Sequence, residues 1–346
     1  MITRRQMLAA AAAVLSRNPA NAGIQGRPRL GGAPTAFSQR MRAARAAGKP
    51  FDIVEHCHEL GLGGVETFLP KDADGVKKLR QQVEAYRMLL VLNAPLPKGP
   101  GDVAAFDSAV QASKECGAIA MHAAMTGRRY EQFDSLEAFK ANFEQAQRSI
   151  AVAEPVLRKH RMKLAIENHK GWRAAEQAAW MKRVGSEWVG VAYDFGNNIS
   201  LCETPDETFR LLSPYAIFCH IKDMGVQNYA DGFLLSEVVF GEGAIDLKKT
   251  VDDLRAKDPN MLFCLEMITR DPLKIPVFTD KYWATFDDSY SPMPARDLAK
   301  TLELVRKNPP KTPLPKITGL SPSEQVKAED DYNLQCIAYA REHLGF

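Results

Sequence analysis

Short apolar runs recur along the chain, and each is followed by a stretch whose apolar residues fall three and four apart. The runs lie at 28–37 (PRLGGAPTAF), 64–70 (GVETFLP), 89–97 (LLVLNAPLP), 118–125 (AIAMHAAM), 163–169 (KLAIENH), 189–198 (VGVAYDFGNN), 216–224 (AIFCHIKDM) and 261–268 (MLFCLEMI). The helical stretches between and after them are 49–60, 74–88, 104–115, 136–159, 174–184, 206–212, 246–256 and 295–307. Strands that alternate with helices pair in parallel. Runs rich in Ile, Val, Leu and Phe suit strands covered on both faces. Eight such units predict a single (β/α)8 barrel of the TIM type. An open doubly wound sheet is the runner-up, but it places a glycine-rich loop between its first strand and helix. Here GLGGVE (61–66) precedes a strand and reads as a turn. Beyond the barrel, 307–320 is a Pro-rich connector. Ser321, Pro322 and Glu324 then form a capping box that opens a C-terminal helix running to about residue 344.

The fifth to eighth runs each close on a group that a buried strand cannot use: Glu167, Asp194, His220 and Glu266. The first three stand one βα unit apart, and the last follows after one unit plus an insertion at 224–245. Strand ends at one face of a barrel point to a common spot, so the four are expected to converge. Three carboxylates brought together repel, by roughly 4 kcal/mol for a pair at 4 Å and an effective dielectric of 20. A cation among them, or raised carboxyl pKa values, relieves this. Three hard oxygen donors and one imidazole suit Mn²⁺ first, with Mg²⁺, Co²⁺ and Zn²⁺ as alternatives.

Composition adds boundaries. The chain has 346 residues, 45% hydrophobic and 25% charged, as in ordinary globular proteins. Residues 1–22 read as a removable leader: a basic start, an Ala-rich segment from Met7 to Leu15, and Ala20 and Ala22 in A-x-A spacing. Thr3-Arg4-Arg5-Gln6-Met7-Leu8 is similar to the twin-arginine export signal, which predicts a periplasmic destination. The formal charge of +3 falls to near zero without Arg4, Arg5 and Arg17, which speaks against a nucleic-acid partner. No apolar run is long enough to span a bilayer. Six scattered cysteines with no CxxC predict free buried thiols. The expected organisation is therefore a leader at 1–22, a barrel at 29–307, and a connector with a helix at 308–346.

The order Glu, Asp, His, Glu on strands five to eight, together with HIKD (220–223), GEGAID (241–246) and GLGGVE, resembles the xylose isomerase-like TIM barrels. These enzymes form a sugar isomerase and epimerase superfamily. The resemblance implies that Glu167, Asp194, His220 and Glu266 ligate one divalent ion and that Glu167 and Glu266 transfer protons. It implies isomerisation or epimerisation through an enediolate of a small carbohydrate, in a chain that can associate with itself. A lyase or dehydratase acting on a keto-inositol or a 3-keto-glycoside is the alternative. His169 and Lys222 each lie two residues past a ligand and are candidates for substrate hydroxyls. Lys222 has Asp223 as an alternative partner. His122 on the fourth strand, Glu66 on the second, and Arg270 and Lys274 after the eighth are further candidates. Asn197 and Val226 stand where ketose 3-epimerases carry His and Arg, and Asn197 is taken as substrate-facing. The aromatic segment 278–290 reads as a lid, an intersubunit contact or surface packing.

Overall fold

A computed structural model describes residues 29–346, so the leader read over 1–22 lies outside the described residues. In chain order the elements are β1 (Leu30–Gly32), α1 (Ser38–Ala46), α2 (Ile53–Glu59), β2 (Gly64–Phe68), α3 (Ala73–Ala85), β3 (Leu89–Asn93), α4 (Val103–Glu115), β4 (Ala120–Ala123), α5 (Arg129–Gln132) and α6 (Leu136–His160). They continue with β5 (Leu164–Glu167), α7 (Ala174–Val184), β6 (Val189–Asp194), α8 (Pro205–Leu212), β7 (Ala216–Ile221), β8 (Asp223–Tyr229) and β9 (Gly232–Val238). The last are α9 (Leu247–Lys257), β10 (Phe263–Leu265), β11 (Leu273–Ile275), α10 (Asp280–Trp283), α11 (Ala295–Lys307) and α12 (Pro322–His343).

Strands β1 to β7 and β10 close into a parallel ring in the order β1-β10-β7-β6-β5-β4-β3-β2, with the helices outside. This is a (β/α)8 barrel carrying a C-terminal helix. Side chains alternate along each strand, so one set fills the barrel and the other meets the helices. Ala33, Leu89, Val91, Ala165, Ala192, Phe218, Leu262 and Cys264 form the inner core. Two residues further along their strands, on the same inward face, stand Asn93, Glu167, Asp194, His220 and Glu266. Where β1 and β2 meet, a Cβ on Gly31 would stand 2.9 Å from the Gly64 backbone, so the seam admits only glycine.

Three features depart from the sequence reading. Helix α1 was not anticipated, because its segment SQRMRAARA buries only Gln39 and shows no apolar stripe. The insertion at 224–245 folds as the β8–β9 hairpin, to which β11 adds an antiparallel third strand. Segment 278–290 is anchored on the barrel through its middle, while Phe278 and Tyr290 at its ends stay exposed. Tyr282 is fully buried, and the Arg129 guanidinium lies beneath the segment, 4.0 Å from the Phe286 ring centroid and 2.8 Å from Thr285 Oγ1. All six cysteines are buried and unpaired. No helix of the described residues is long and apolar enough to cross a membrane.

Helix α12 begins with the expected capping box, Ser321 N–H donating to Glu324 at 2.8 Å. It docks by capping another helix: the Glu329 carboxylate accepts the free N–H groups of Gln39 (2.7 Å) and Arg40 (2.9 Å) at the start of α1. Burial lifts the Glu329 carboxyl to about 7, against the pull of those two N–H donors. Between its ordinary value and 7 the folded chain thus holds a proton that the unfolded chain releases. Stability should therefore fall as pH rises across that window. Glu329→Gln should flatten this slope. Glu329→Ala, which strands the buried Gln39 N–H and the half-buried Arg40 N–H, should cost about 1–3 kcal/mol in denaturant titrations.

Candidate functional site

The four strand-end residues meet at the mouth of the barrel. Glu167 ends β5, Asp194 ends β6, His220 lies near the end of β7 and Glu266 follows β10. Each is buried, and one ligand-type atom from each lies within 4.8 Å of the others. Strand register accounts for this: Asp194 pairs with His220, and His220 pairs with Cys264, two residues before Glu266. Asn168 locks the tips of β5 and β6 together, accepting from the Asp194 N–H (2.7 Å) and donating to the Asp194 carbonyl (2.8 Å).

Lys222 does not pair with Asp223. Its ammonium lies 2.6 Å from Asp194 Oδ2 and 2.5 Å from Glu266 Oε2. The Asp223 carboxylate instead accepts backbone N–H groups of Met224, Gly241, Gly243 and Ile245, which ties the GEGAID loop to β8. Lys222 is therefore a counter-ion within the cluster and not a free ligand for substrate hydroxyls. Asn197 is also occupied. Its Nδ2 donates to Glu167 Oε1 (2.8 Å), and its Oδ1 accepts from Lys222 (3.1 Å) and Lys170. Arg270 pairs with Glu237 of β9 through two hydrogen bonds of 3.0 and 2.5 Å, and Lys274 lines a groove beneath the Pro-rich connector, away from the cluster.

Glu66 binds both imidazoles, at 2.6 Å from His220 Nε2 and 2.9 Å from His122 Nδ1. Glu66, His122 and His220 also form a trio of ligand-type groups. Because Glu66 engages His220 Nε2, that ring presents Nδ1 to the cluster, 3.7 Å from Glu266. His122 Nε2 lies 3.4 Å from Glu167. His122 and Asn93 border a cavity of about 550 Å³ that is also lined by Phe68, Met125 and Asn142. Burial alone would lower both imidazoles, but the carboxylates outweigh it. Glu66 leads at each ring, followed by Glu167 at His122 and Glu266 at His220, and the rings rise to about 10 and 9. Burial pushes Asp194 up to about 7 with help from Glu266 and Glu167, against Lys222. Glu167 is held down to about 2, where His169 and His122 outweigh burial. His169, past the end of β5, is lowered by burial and has a buried Nδ1 with no hydrogen-bond partner among the described residues.

The residues fit a divalent cation. His220 Nδ1 is buried and has no hydrogen-bond partner among the described residues, although it faces three carboxylates. The Lys222 ammonium, lodged between two of those carboxylates, shows that the pocket draws positive charge. Glu167, Asp194, His220 and Glu266 would hold the ion. Sequence reasoning missed Lys170, Asn168 and Glu237. Asn168 and Lys170 stood in the polar run ENHK that closes the fifth strand, and Glu237 shares the buried face of β9 with Phe233 and Leu235 at spacing two.

Several solved structures share this fold. A D-psicose 3-epimerase solved in the presence of D-fructose aligns with a TM-score of 0.58 and 13% identity, over 92% of this chain and 100% of its own. A 3-keto-D-glucoside 4-epimerase from E. coli gives 0.52 and 13%, over 81% and 100%. A xylose isomerase-like TIM barrel protein from Mycobacterium smegmatis in complex with magnesium gives 0.52 and 14%, over 82% and 98%. Among curated proteins no sequence matches. The family model described as xylose isomerase-like TIM barrel matches residues 54–287, about two thirds of the chain, and the protein belongs to that family.

Proposed function

We propose that the protein is a divalent-metal-dependent isomerase or epimerase of carbonyl-bearing carbohydrates, with Mn²⁺ as the preferred ion. The observation that carries this reading is the convergence of Glu167, Asp194, His220 and Glu266 on one buried spot, with an uncommitted imidazole nitrogen among them. A divalent ion held by these four residues would supply Lewis-acid polarisation of the substrate carbonyl and would favour its enediolate. Glu167 and Glu266 stand on strands three apart around the ring and so reach a substrate from two sides. One glutamate takes the proton next to the carbonyl, and the other, in its acid form, returns one to the opposite face. The Asn197 amide fixes the orientation of Glu167, and the Thr35 hydroxyl donates to Glu266 at 2.9 Å. Two proteins that share the fold act on sugars by name, which supports a sugar-like substrate. Asn197 is spent on Glu167 and the two lysines, so this chain grips its substrate by other groups. Residues 1–22 further suggest that the enzyme works after export by the twin-arginine route.

Incubation of the Mn²⁺-loaded protein with ketoses, keto-inositols and 3-keto-glycosides in D₂O tests the reading. Deuterium at the carbon next to the carbonyl, with mass otherwise conserved, is the expected result. Incorporation accompanied by loss of water or a fragment would favour the lyase alternative. No incorporation across the panel would overturn both.

A further inference from the structure

Among the described residues, a buried ammonium at the barrel mouth forms no ion pair with a carboxylate. Lys170, three residues beyond Glu167, is only 2% exposed. Its Nζ donates to the amide oxygen of Asn197, and among the described residues no carboxylate lies within 4.0 Å of it. The groups that face it are Lys222 after β7, Arg270 after β10, Glu237 on β9 and Asp194 at the end of β6. Both nearby carboxylates are committed elsewhere, Asp194 to Lys222 and Glu237 to Arg270. Burial, with the two cations behind it, lowers the ammonium to about 8.

The segment is fixed in place. The Lys170 carbonyl accepts the Arg129 N–H at 2.9 Å, and a Cβ on Gly171 would come within 1.6 Å of Thr126 Oγ1. Lys170 therefore does not reach its position through slack in the loop. An unpaired ammonium out of water, beside two further cations, is among the most costly arrangements in a protein interior unless a ligand completes it. Next to it, the buried Nδ1 of His169 also has no hydrogen-bond partner among the described residues.

We propose that Lys170 receives a carboxylate carried by the substrate, so that the substrate is an acidic carbonyl compound of the keto-sugar-acid class. A single ammonium, with the neighbouring Lys222 and Arg270 already paired to carboxylates, matches a monoanion. A phosphate dianion is matched best by a bidentate guanidinium, and the fork of Arg270 is closed on Glu237. This inference rests on the reading of the neighbouring cluster as the enolising centre and assigns the class of compound presented to it.

Calorimetric titration of the Mn²⁺-loaded protein tests it with three probes: 5-keto-D-gluconate, its neutral counterpart L-sorbose, and D-fructose 6-phosphate. The acid should bind at least about tenfold more tightly than L-sorbose, a preference that fades above pH 8 as the amine loses its proton. Lys170→Met should abolish the preference, leave Mn²⁺ affinity within about twofold, and raise the melting temperature by removing an uncompensated charge. Equal affinities, a preference that survives in Lys170→Met, failure of the acid to bind, tighter binding of the phosphate, or a lower melting temperature in Lys170→Met would each overturn the assignment. Failure of the wild-type protein to take up Mn²⁺ would instead overturn the metal reading. The acid's advantage over L-sorbose in the metal-free protein would then still decide the role of Lys170.

Discussion

Glu266→Gln is expected to slow deuterium exchange next to the substrate carbonyl by about 10²–10⁴-fold while the barrel stays folded. The amide keeps the volume of the side chain and an oxygen that accepts from Thr35, so the packing at the end of β10 is preserved. What it loses is the ability to take a proton and a charge among the ligands. Glu167→Gln should behave alike, because its amide oxygen still accepts from Asn197 Nδ2. Exchange rates measured at saturating Mn²⁺, beside thermal melts, separate the chemical loss from unfolding. A variant with wild-type exchange would remove that glutamate from proton transfer.

Lys222→Met carries the largest expected effect on stability. The ammonium lies between Asp194 and Glu266 with only 1% of its side chain exposed. Burial would lower it, yet these two carboxylates outweigh burial and hold it above its ordinary range. Removing one partner of a buried ion pair leaves an uncompensated charge and costs about 3–5 kcal/mol. In EDTA the variant should therefore melt roughly 5–15 °C below wild type. Addition of Mn²⁺ should restore most of this, because a dication among the same carboxylates replaces the missing charge and stabilises the folded state by mass action. A loss that Mn²⁺ does not repair would mean that the cluster does not bind the ion. Absence of any loss would mean that Lys222 contributes nothing to balancing these charges.

Much of the fold was legible because its signals are local. The barrel strands read as apolar runs, and α7 and α11 matched their sequence boundaries at both ends. The ends of the fifth to eighth strands stood out because a carboxylate or imidazole two residues past an inward apolar position has no local explanation. Helix α1 was illegible because its burial comes from α12, which supplies Glu329 as a cap from 290 residues away. Lys222 was legible as a residue near the site but not as a counter-ion, since its carboxylates arrive from β6 and from the end of β10. Lys170 lies past the end of β5, where the two-residue alternation stops predicting direction. Glu237 was hidden in a segment read as an insertion.

Period and chemistry along the chain were enough to determine a barrel, the four polar groups at its mouth and the capping box of the last helix. Each depends on residues close together in sequence, whose alternation sets which face a side chain takes. The tertiary structure alone decided which charges meet: Lys222 with Asp194 and Glu266, Arg270 with Glu237, Glu66 with two imidazoles, and Lys170 with no carboxylate within 4.0 Å among the described residues. Ion pairing in a buried site depends on distances of a few ångströms between strands far apart in the chain. Those distances come from ring closure and strand register, which no local pattern encodes.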